Sequence, residues 1–469
     1  MLEPHALKTQ AQTDWFVHGR FGMFIHWGLY AMAARHEWVK SKERIPEDMY
    51  DLYFKHFDPD LYDPEVWADA AANAGMKYFV ITTKHHEGFC LWDSKFTDYK
   101  APNTPAGRDL LRPMVDAFSS RGLRTGFYYS LLDWHHRDYV VDYMQHPRRN
   151  ALPRIDDLAR SFALKSTPDG SEYDGTDINA GRDQSKYAAY MRDQVRELLT
   201  EFGDVSALWF DFSFVRNTEQ ARDDFRFNKG REAWESDKLL AMIRELQPNV
   251  MLTDRLDLDL PLAGGDFKTP EQAQPRGWVH VDVDGQQKPV VWEACQTFSG
   301  SWGYYRDEHT WRSARQLIST LIDCVSKGGN LLLNVGPTGR GEIDARALDR
   351  MKDIGAWMKH HGRSIYGCTQ APDEFAAPEH CKLTYNASKK RLYVHVFDWP
   401  YKLLHLDAQP YVDRIEYAQL LHDGSEVKMG LSAWHKHQLG SNADSVVFNL
   451  PQMEPPGVEV PVIELFLKD

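Results

Sequence analysis

The sequence predicts an α/β protein: a (β/α)8-like, distorted TIM barrel over residues 1–366, followed by a small C-terminal β-sandwich over residues 367–469. Three observations carry this. Apolar strands and amphipathic helical stretches alternate repeatedly up to about residue 366, the pattern of a parallel sheet with crossover helices. The strands end on polar clusters, as they do at the ligand-binding face of a barrel. Beyond residue 366 the helical period gives way to short alternating strands with turn signals such as Asp423-Gly424. A length of 469 residues suits one large domain and a smaller one.

Taken in order, residues 20–28 read as a first buried strand ending on His26 and Trp27, and a polar loop with His36-Glu37-Trp38 follows. Asp63-Pro64-Glu65 supplies an N-cap, a first-turn proline and an early acid, and the helix it starts stops near Gly75. Residues 76–83 form the next strand, leading into Lys84-His85-His86-Glu87-Gly88-Phe89. A helix from Asp109 to Gly122 precedes the strand 124–130, which leads to Asp133-Trp134-His135-His136. The polar stretch 140–180 reads as a long excursion over the strand ends.

Helical spacing returns from Tyr187 to Phe202. The run 205–214 then places a single carboxylate, Asp211, at the downstream end of an apolar strand. Burying a charge without a partner costs several kcal/mol, so Asp211 is a candidate for chemistry, with a turn cap or an arginine pair as the plainer role. A helix over 234–246, a short strand 250–253 ending on Asp254-Arg255, a strand 290–293 ending on Glu293, a helix 312–325, the strand 330–335 and a helix 345–358 complete the barrel.

Composition excludes several classes. The formal charge is -13 and no basic tract occurs, which argues against a nucleic-acid partner. No run approaches the ~18 apolar residues of a membrane span, and the N-terminal residues hold no apolar signal core, so a cytoplasmic protein is expected unless a leader has been trimmed. The 5 cysteines have no CxxC spacing, so neither a disulfide framework nor a zinc motif is expected. A homo-oligomer is left open.

On one barrel face the reading gathers His26, Trp27, His85, His86, Tyr128, Tyr129, Trp209, Asp211, Arg255, Trp292 and Glu293. Hydrogen-bond donors, aromatic platforms and carboxylates suit a neutral polyhydroxylated ligand, and no phosphate-binding glycine loop accompanies them. Adjacent His85 and His86 would point to opposite faces of a strand, as would His135-His136 and His360-His361, and no HExxH occurs. No metal and no cofactor is therefore expected. No GxSxG elbow is present, and Gly300-Ser301-Trp302-Gly303 is not one. Two carboxylates are left as the machinery, which is what glycoside hydrolysis needs.

Phe24-Ile25-His26-Trp27-Gly28, His36-Glu37-Trp38, Lys84-His85-His86-Glu87-Gly88-Phe89, Tyr128-Tyr129-Ser130, Leu208-Trp209-Phe210-Asp211 and Asn330-Leu331-Leu332-Leu333-Asn334-Val335-Gly336-Pro337, in this order, resemble the α-L-fucosidases of glycoside hydrolase family 29. The resemblance spans about residues 14–366 and also implies the β-sandwich. It implies a retaining hydrolase with Asp211 as nucleophile, and it implies fucose contacts from His26, Glu37, Trp38, His85, His86, Tyr128 or Tyr129, Trp209 and Arg255. The acid/base is placed at Glu271, in a loop able to close over the site, with Glu293 as runner-up and Asp266 third. A fucosylated glycan or glycoside is the implied substrate. An α-galactoside-like substrate and a sugar-binding relative without turnover are the alternatives.

Overall fold

The structure, a computed structural model, describes residues 10–152, 174–214, 224–258, 265–283, 285–407, 414–430, 437, 445–450 and 454–468. Residues 153–173 of the polar excursion lie outside the described residues.

Seven parallel strands form the main sheet: β1 (Phe21–Ile25), β2 (Tyr78–Lys84), β3 (Arg124–Ser130), β4 (Ala207–Asp211), β5 (Met251–Leu252), β8 (Glu293–Thr297) and β9 (Asn330–Val335). Their order is β5-β4-β3-β2-β1-β9-β8. Apart from the exposed Arg124, every residue in them is buried, as expected of parallel strands covered on both faces. Phe16, Phe24, Tyr78, Val80, Tyr128, Trp209, Met251, Phe267 and Leu332 pack together inside the sheet's curve. The other side chains of the same strands pack outward against the helices.

Local chemistry sets the crossover helices. Asp63 caps the helix Pro64–Asn73 by accepting from the Glu65 N–H, and Asp183 and Asp344 cap the helices Gln184–Glu201 and Ala345–His361 in the same way. Asp109 Oδ1 accepts from the Leu111 and Arg112 N–H groups at the start of the helix Leu111–Ser120. Ser313 and Gln316 form a capping box on the helix Ala314–Ser326. One helix, Glu47–His56, falls where the sequence reading had a polar loop. Of its residues only Tyr50 is buried, while Tyr53 and Phe54 pack against the core and Met49 and Leu52 are exposed.

β5 and β8 are the two edges of the sheet, and residues 265–272 lie between them. Single parallel bridges join Thr253 to Phe267, Lys268 to Trp292 and Glu271 to Cys295. Lys268 N–H donates to Val291 O, Glu293 N–H to Lys268 O, Cys295 N–H to Pro270 O, and Gln272 N–H to Cys295 O. The loop expected to close over the site is thus part of the barrel wall. Pro270 has no N–H to give, and the ladder on that side stays incomplete.

The strand expected to end on Glu293 instead begins there, because residues 286–290 pair backward with β6 (Val279–Val283) as β7 (Gln286–Val290). After the barrel, β10 (Thr369–Gln370), β11 (Cys381–Asn386), β12 (Arg391–Val396), β17 (Val462–Leu467) and β14 (Ile415–Leu420) form one antiparallel sheet. β13 (Leu403–Asp407), β16 (Ser445–Asn449) and β15 (Lys428–Met429) form another. They share an apolar cluster of their own around Leu392, Val394, Leu406, Phe448 and Leu465.

Candidate active site

A pocket opens at the C-terminal end of the strands. β1 and the turn after it supply Phe24 and His26, the segment after β2 supplies His85 and His86, and β3 supplies Tyr128. β4 supplies Trp209 and Asp211, with Phe212 following. Glu37, Trp38, Glu271, Cys295 and Trp302 complete the lining.

Asp211 is the last residue of β4 and only 9% exposed. Tyr128 donates its hydroxyl to Asp211 Oδ2 at 2.8 Å, and Arg255 Nη1 donates to Oδ1 at 2.7 Å. Burial pushes the Asp211 carboxyl above the ordinary range, while Arg255 and Tyr128 pull it back and the nearby Glu271 charge adds to the rise. Phe212 follows with φ 78°, a left-handed conformation that costs a phenylalanine energy and that clusters at functional sites. Its ring packs on those of Trp38 and His86.

Arg255 lies outside the lining but organises it. Its guanidinium sits 4.4 Å from the Trp209 ring centroid, donates through Nε to Thr269 Oγ1 (3.0 Å), and through Nη2 to Thr269 O and Glu271 Oε2 (both 3.2 Å). Asp211 and Glu271 therefore hang on two nitrogens of one planar cation. The Glu271 side chain is 45% exposed, facing the mouth, whereas Asp211 sits at the floor.

The histidines are neutral bases. Burial holds His26 down to about 3 and His85 and His86 well below the ordinary imidazole range. Asn334 Nδ2 donates to Trp302 O, so its Oδ1 accepts from His26 Nδ1–H at 2.6 Å. Ser130 Oγ donates to Leu132 O and accepts from His86 Nδ1–H at 2.6 Å. Both rings are left with an unprotonated Nε2, an acceptor for a hydroxyl proton. His86 Nε2 stands 3.8 Å from Asp211 Oδ2. Glu37 Oε2 accepts the Gly303 N–H, and burial raises its pKa. Such a set of acceptors suits a neutral polyol.

Four placements differ from the sequence reading. His85 and His86 lie past the end of β2, so strand alternation does not separate them; their ring centroids are 4.0 Å apart in the same pocket. Tyr129 is turned away from the site by alternation along β3 and donates to Gln194 Oε1 at 2.7 Å. Glu293 opens β8 at the opposite end of the barrel, where it accepts from the Tyr78 hydroxyl and is 1% exposed. Asp266, the third acid, accepts from Arg244 and from the Leu252 N–H in the barrel wall.

Phe24, Phe212, Cys295 and Trp302 line the pocket without having been singled out for it. For Phe24 a signal existed, since it stands two residues before His26 on one strand face. Trp302 lies in a glycine-flanked loop and offers no period to read.

A curved parallel sheet with buried, polar-clustered strand ends and three carboxylates in one pocket, Glu37, Asp211 and Glu271, has the form of a barrel glycoside hydrolase. Comparison with known proteins narrows this. The family model described as Alpha-L-fucosidase matches residues 3–363. Alpha-L-fucosidase isoenzyme 1 from Paenibacillus thiaminolyticus is 43% identical, covering 98% of this chain and 99% of that one with a TM-score of 0.84. A GH29 α-L-fucosidase from Bacteroides thetaiotaomicron, solved as a trapped covalent intermediate with 2-fluoro-fucosyl fluoride, is 26% identical, covers 99% of this chain and 98% of its own, and has a TM-score of 0.76. Human plasma alpha-L-fucosidase is 27% identical over 422 residues, 84% of this chain and 78% of that protein. The chain belongs to the α-L-fucosidase family, glycoside hydrolase family 29, and is a glycosidase of that activity class.

Proposed function

We propose that the enzyme releases terminal α-L-fucosyl residues with retention, through a covalent fucosyl-enzyme on Asp211, with Glu271 as acid/base. In the first step an Asp211 oxygen bonds to the anomeric carbon as the glycosidic C–O bond breaks and Glu271 gives its proton to the leaving oxygen. In the second step Glu271 takes a proton from water, water oxygen bonds to the anomeric carbon, and the Asp211 ester bond breaks.

The observation that carries this reading is the shared guanidinium. Arg255 holds Asp211 Oδ1 and Glu271 Oε2 together, within the short span of one cation and its two hydrogen bonds. Two carboxyl groups on one guanidinium are close enough to admit the roughly 5–5.5 Å separation of a retaining pair. Glu293, under the barrel floor, cannot reach a leaving group at the mouth. The relative trapped as a covalent intermediate supports the same chemistry. His26, His85, His86, Glu37 and Tyr128 would bind the sugar hydroxyls, and Trp38, Trp209, Phe24 and Trp302 would pack on its C–H face and methyl. One methyl contact of this kind is worth roughly 1–3 kcal/mol of selectivity.

The test is the hydrolysis of an aryl α-L-fucoside followed by NMR. Retention at the anomeric centre is expected, with Asp211→Asn inactive, and with Glu271→Gln slow on poor leaving groups but rescued by azide as the α-configured fucosyl azide, since azide opens the β-linked fucosyl-enzyme from the face water would use. Inversion, or normal turnover by Asp211→Asn, overturns the assignment.

A further inference from the structure

We infer that Glu47, Asp51 and His135 form a binding site for a divalent transition-metal ion, Zn2+ or Mn2+, that ties the helix Glu47–His56 to the loop after β3. One ligand atom from each of the three lies within 4.8 Å of the other two. Glu47 and Asp51 are four residues apart on one helix, so their charges face each other and repel. Lys40 relieves this only in part, bonding Glu47 Oε1 at 2.9 Å.

Two further atoms point to an occupant. Asp51 Oδ1 is buried and has no hydrogen-bond partner among the described residues. The Tyr99 hydroxyl is likewise buried and unpartnered, on a residue only 6% exposed. The Tyr99 ring lies flat on His135, with centroids 3.9 Å apart, and Glu47 and Asp51 are among the carboxylates whose charge its hydroxyl feels. Buried polar groups in folded proteins are almost always satisfied, so unpaired oxygens beside clustered carboxylates mark a place where a cation or its bound water belongs.

The donor set selects the class of ion. Mg2+ and Ca2+ take oxygen ligands, whereas an imidazole with two carboxylates suits Zn2+ or Mn2+, with water completing the shell on the exposed His135 side. The ligands come from two segments far apart in sequence, which is why no spacing motif announces them. The ion would act through position. Trp134, next to His135, donates its backbone N–H to His86 O at 2.7 Å, and its ring stands 5.3 Å from those of both His86 and Trp38 in the sugar pocket.

Chelator-treated full-length protein is titrated with ZnCl2 and, separately, MnCl2 by calorimetry, with thermal melts in parallel. About one ion per chain and a rise in Tm are expected with at least one of the two metals. Asp51→Asn and His135→Gln should each weaken binding at least tenfold and remove the Tm rise. Chelated, they should melt close to the chelated parent, since both sites reach the surface. His360→Gln, outside the cluster, should bind as the parent does. The site is overturned if the parent binds neither metal, if either cluster variant keeps the parent's affinity, or if His360→Gln loses it equally.

Discussion

Tyr128 gives its hydroxyl proton to Asp211 Oδ2 at 2.8 Å, while Tyr129, the next residue, serves a buried glutamine on the other side of β3. The pair makes a controlled comparison. A hydrogen bond to a charged group contributes about 1.5–3 kcal/mol. Tyr128→Phe should therefore lower kcat/KM for an aryl fucoside roughly 10- to 100-fold with a near-parental Tm. Tyr129→Phe should leave kcat/KM within about twofold but cost stability by about 1–3 kcal/mol, because Gln194 Oε1 is left buried without its donor. Steady-state kinetics and urea melts on both variants check this.

Arg255 opposes the rise in the pKa of Asp211, the proposed nucleophile. Burial raises the Asp211 pKa and Arg255 is the largest influence opposing it. Without the cation, protonated Asp211 persists to higher pH, and the protonated acid cannot attack. Arg255→Gln should shift the acidic limb of the kcat/KM–pH profile upward by about one unit or more and lower the plateau at least 100-fold, the scale of losing an electrostatic contact at the reacting centre. An acidic limb that stays put would show that Arg255 does not control that titration.

Glu293 should leave its mark on stability. Burial raises its pKa to about 8. Between an ordinary glutamic acid value of about 4.3 and this one, the folded chain holds a proton that the unfolded chain has released, so stability falls as pH rises through the window. The slope from this group approaches about 1.4 kcal/mol per pH unit. Glu293→Gln keeps the hydrogen bond with Tyr78 and removes the titration. Its unfolding free energy relative to the parent should rise between pH 5 and pH 8, measured by urea denaturation, with fucosidase activity retained.

His395 works in the opposite sense. Burial holds it down to about 3, and its Nε2 faces Thr384 Oγ1 at 3.0 Å. The unfolded chain takes up the proton below about 6.5 and the folded one does not, so this site costs stability as pH falls from 6.5 toward 3. His395→Gln should flatten the loss of Tm between pH 6 and pH 4. An unchanged acid slope would place the acid sensitivity elsewhere, with His361, held down to about 4, the next to test.

Much of this was legible in the chain. Asp63 and Asp109 mark helix starts by a mechanism that needs only local sequence, and the buried strands announce themselves as apolar runs. Asp211 is readable because a lone acid ending such a run is costly without a role. What failed was placement that depends on neighbours. Strand alternation was applied to His85 and His86 beyond the point where the strand stops. Glu293 was assigned to the wrong end of its strand because residues 286–290 fold back on β6, a pairing that no single-strand pattern reveals. The helix Glu47–His56 spreads Met49, Tyr50, Leu52, Tyr53 and Phe54 over a wide arc with only Tyr50 buried, so no narrow buried face marks it out in the sequence. The resemblance of six ordered motifs supplied the sugar, which periodicity alone does not name.

Residues 265–272 fill the seam between β5 and β8 and also carry Glu271. Diversifying this segment to accept new leaving groups would therefore disturb the stitching of the barrel along with the proposed proton donor, and such libraries should be dominated by clones that express poorly. Changes confined to the rim around Trp302 leave Glu271 and the backbone bonds of Lys268, Pro270 and Gln272 in place. They offer the safer route to engineered transglycosylation.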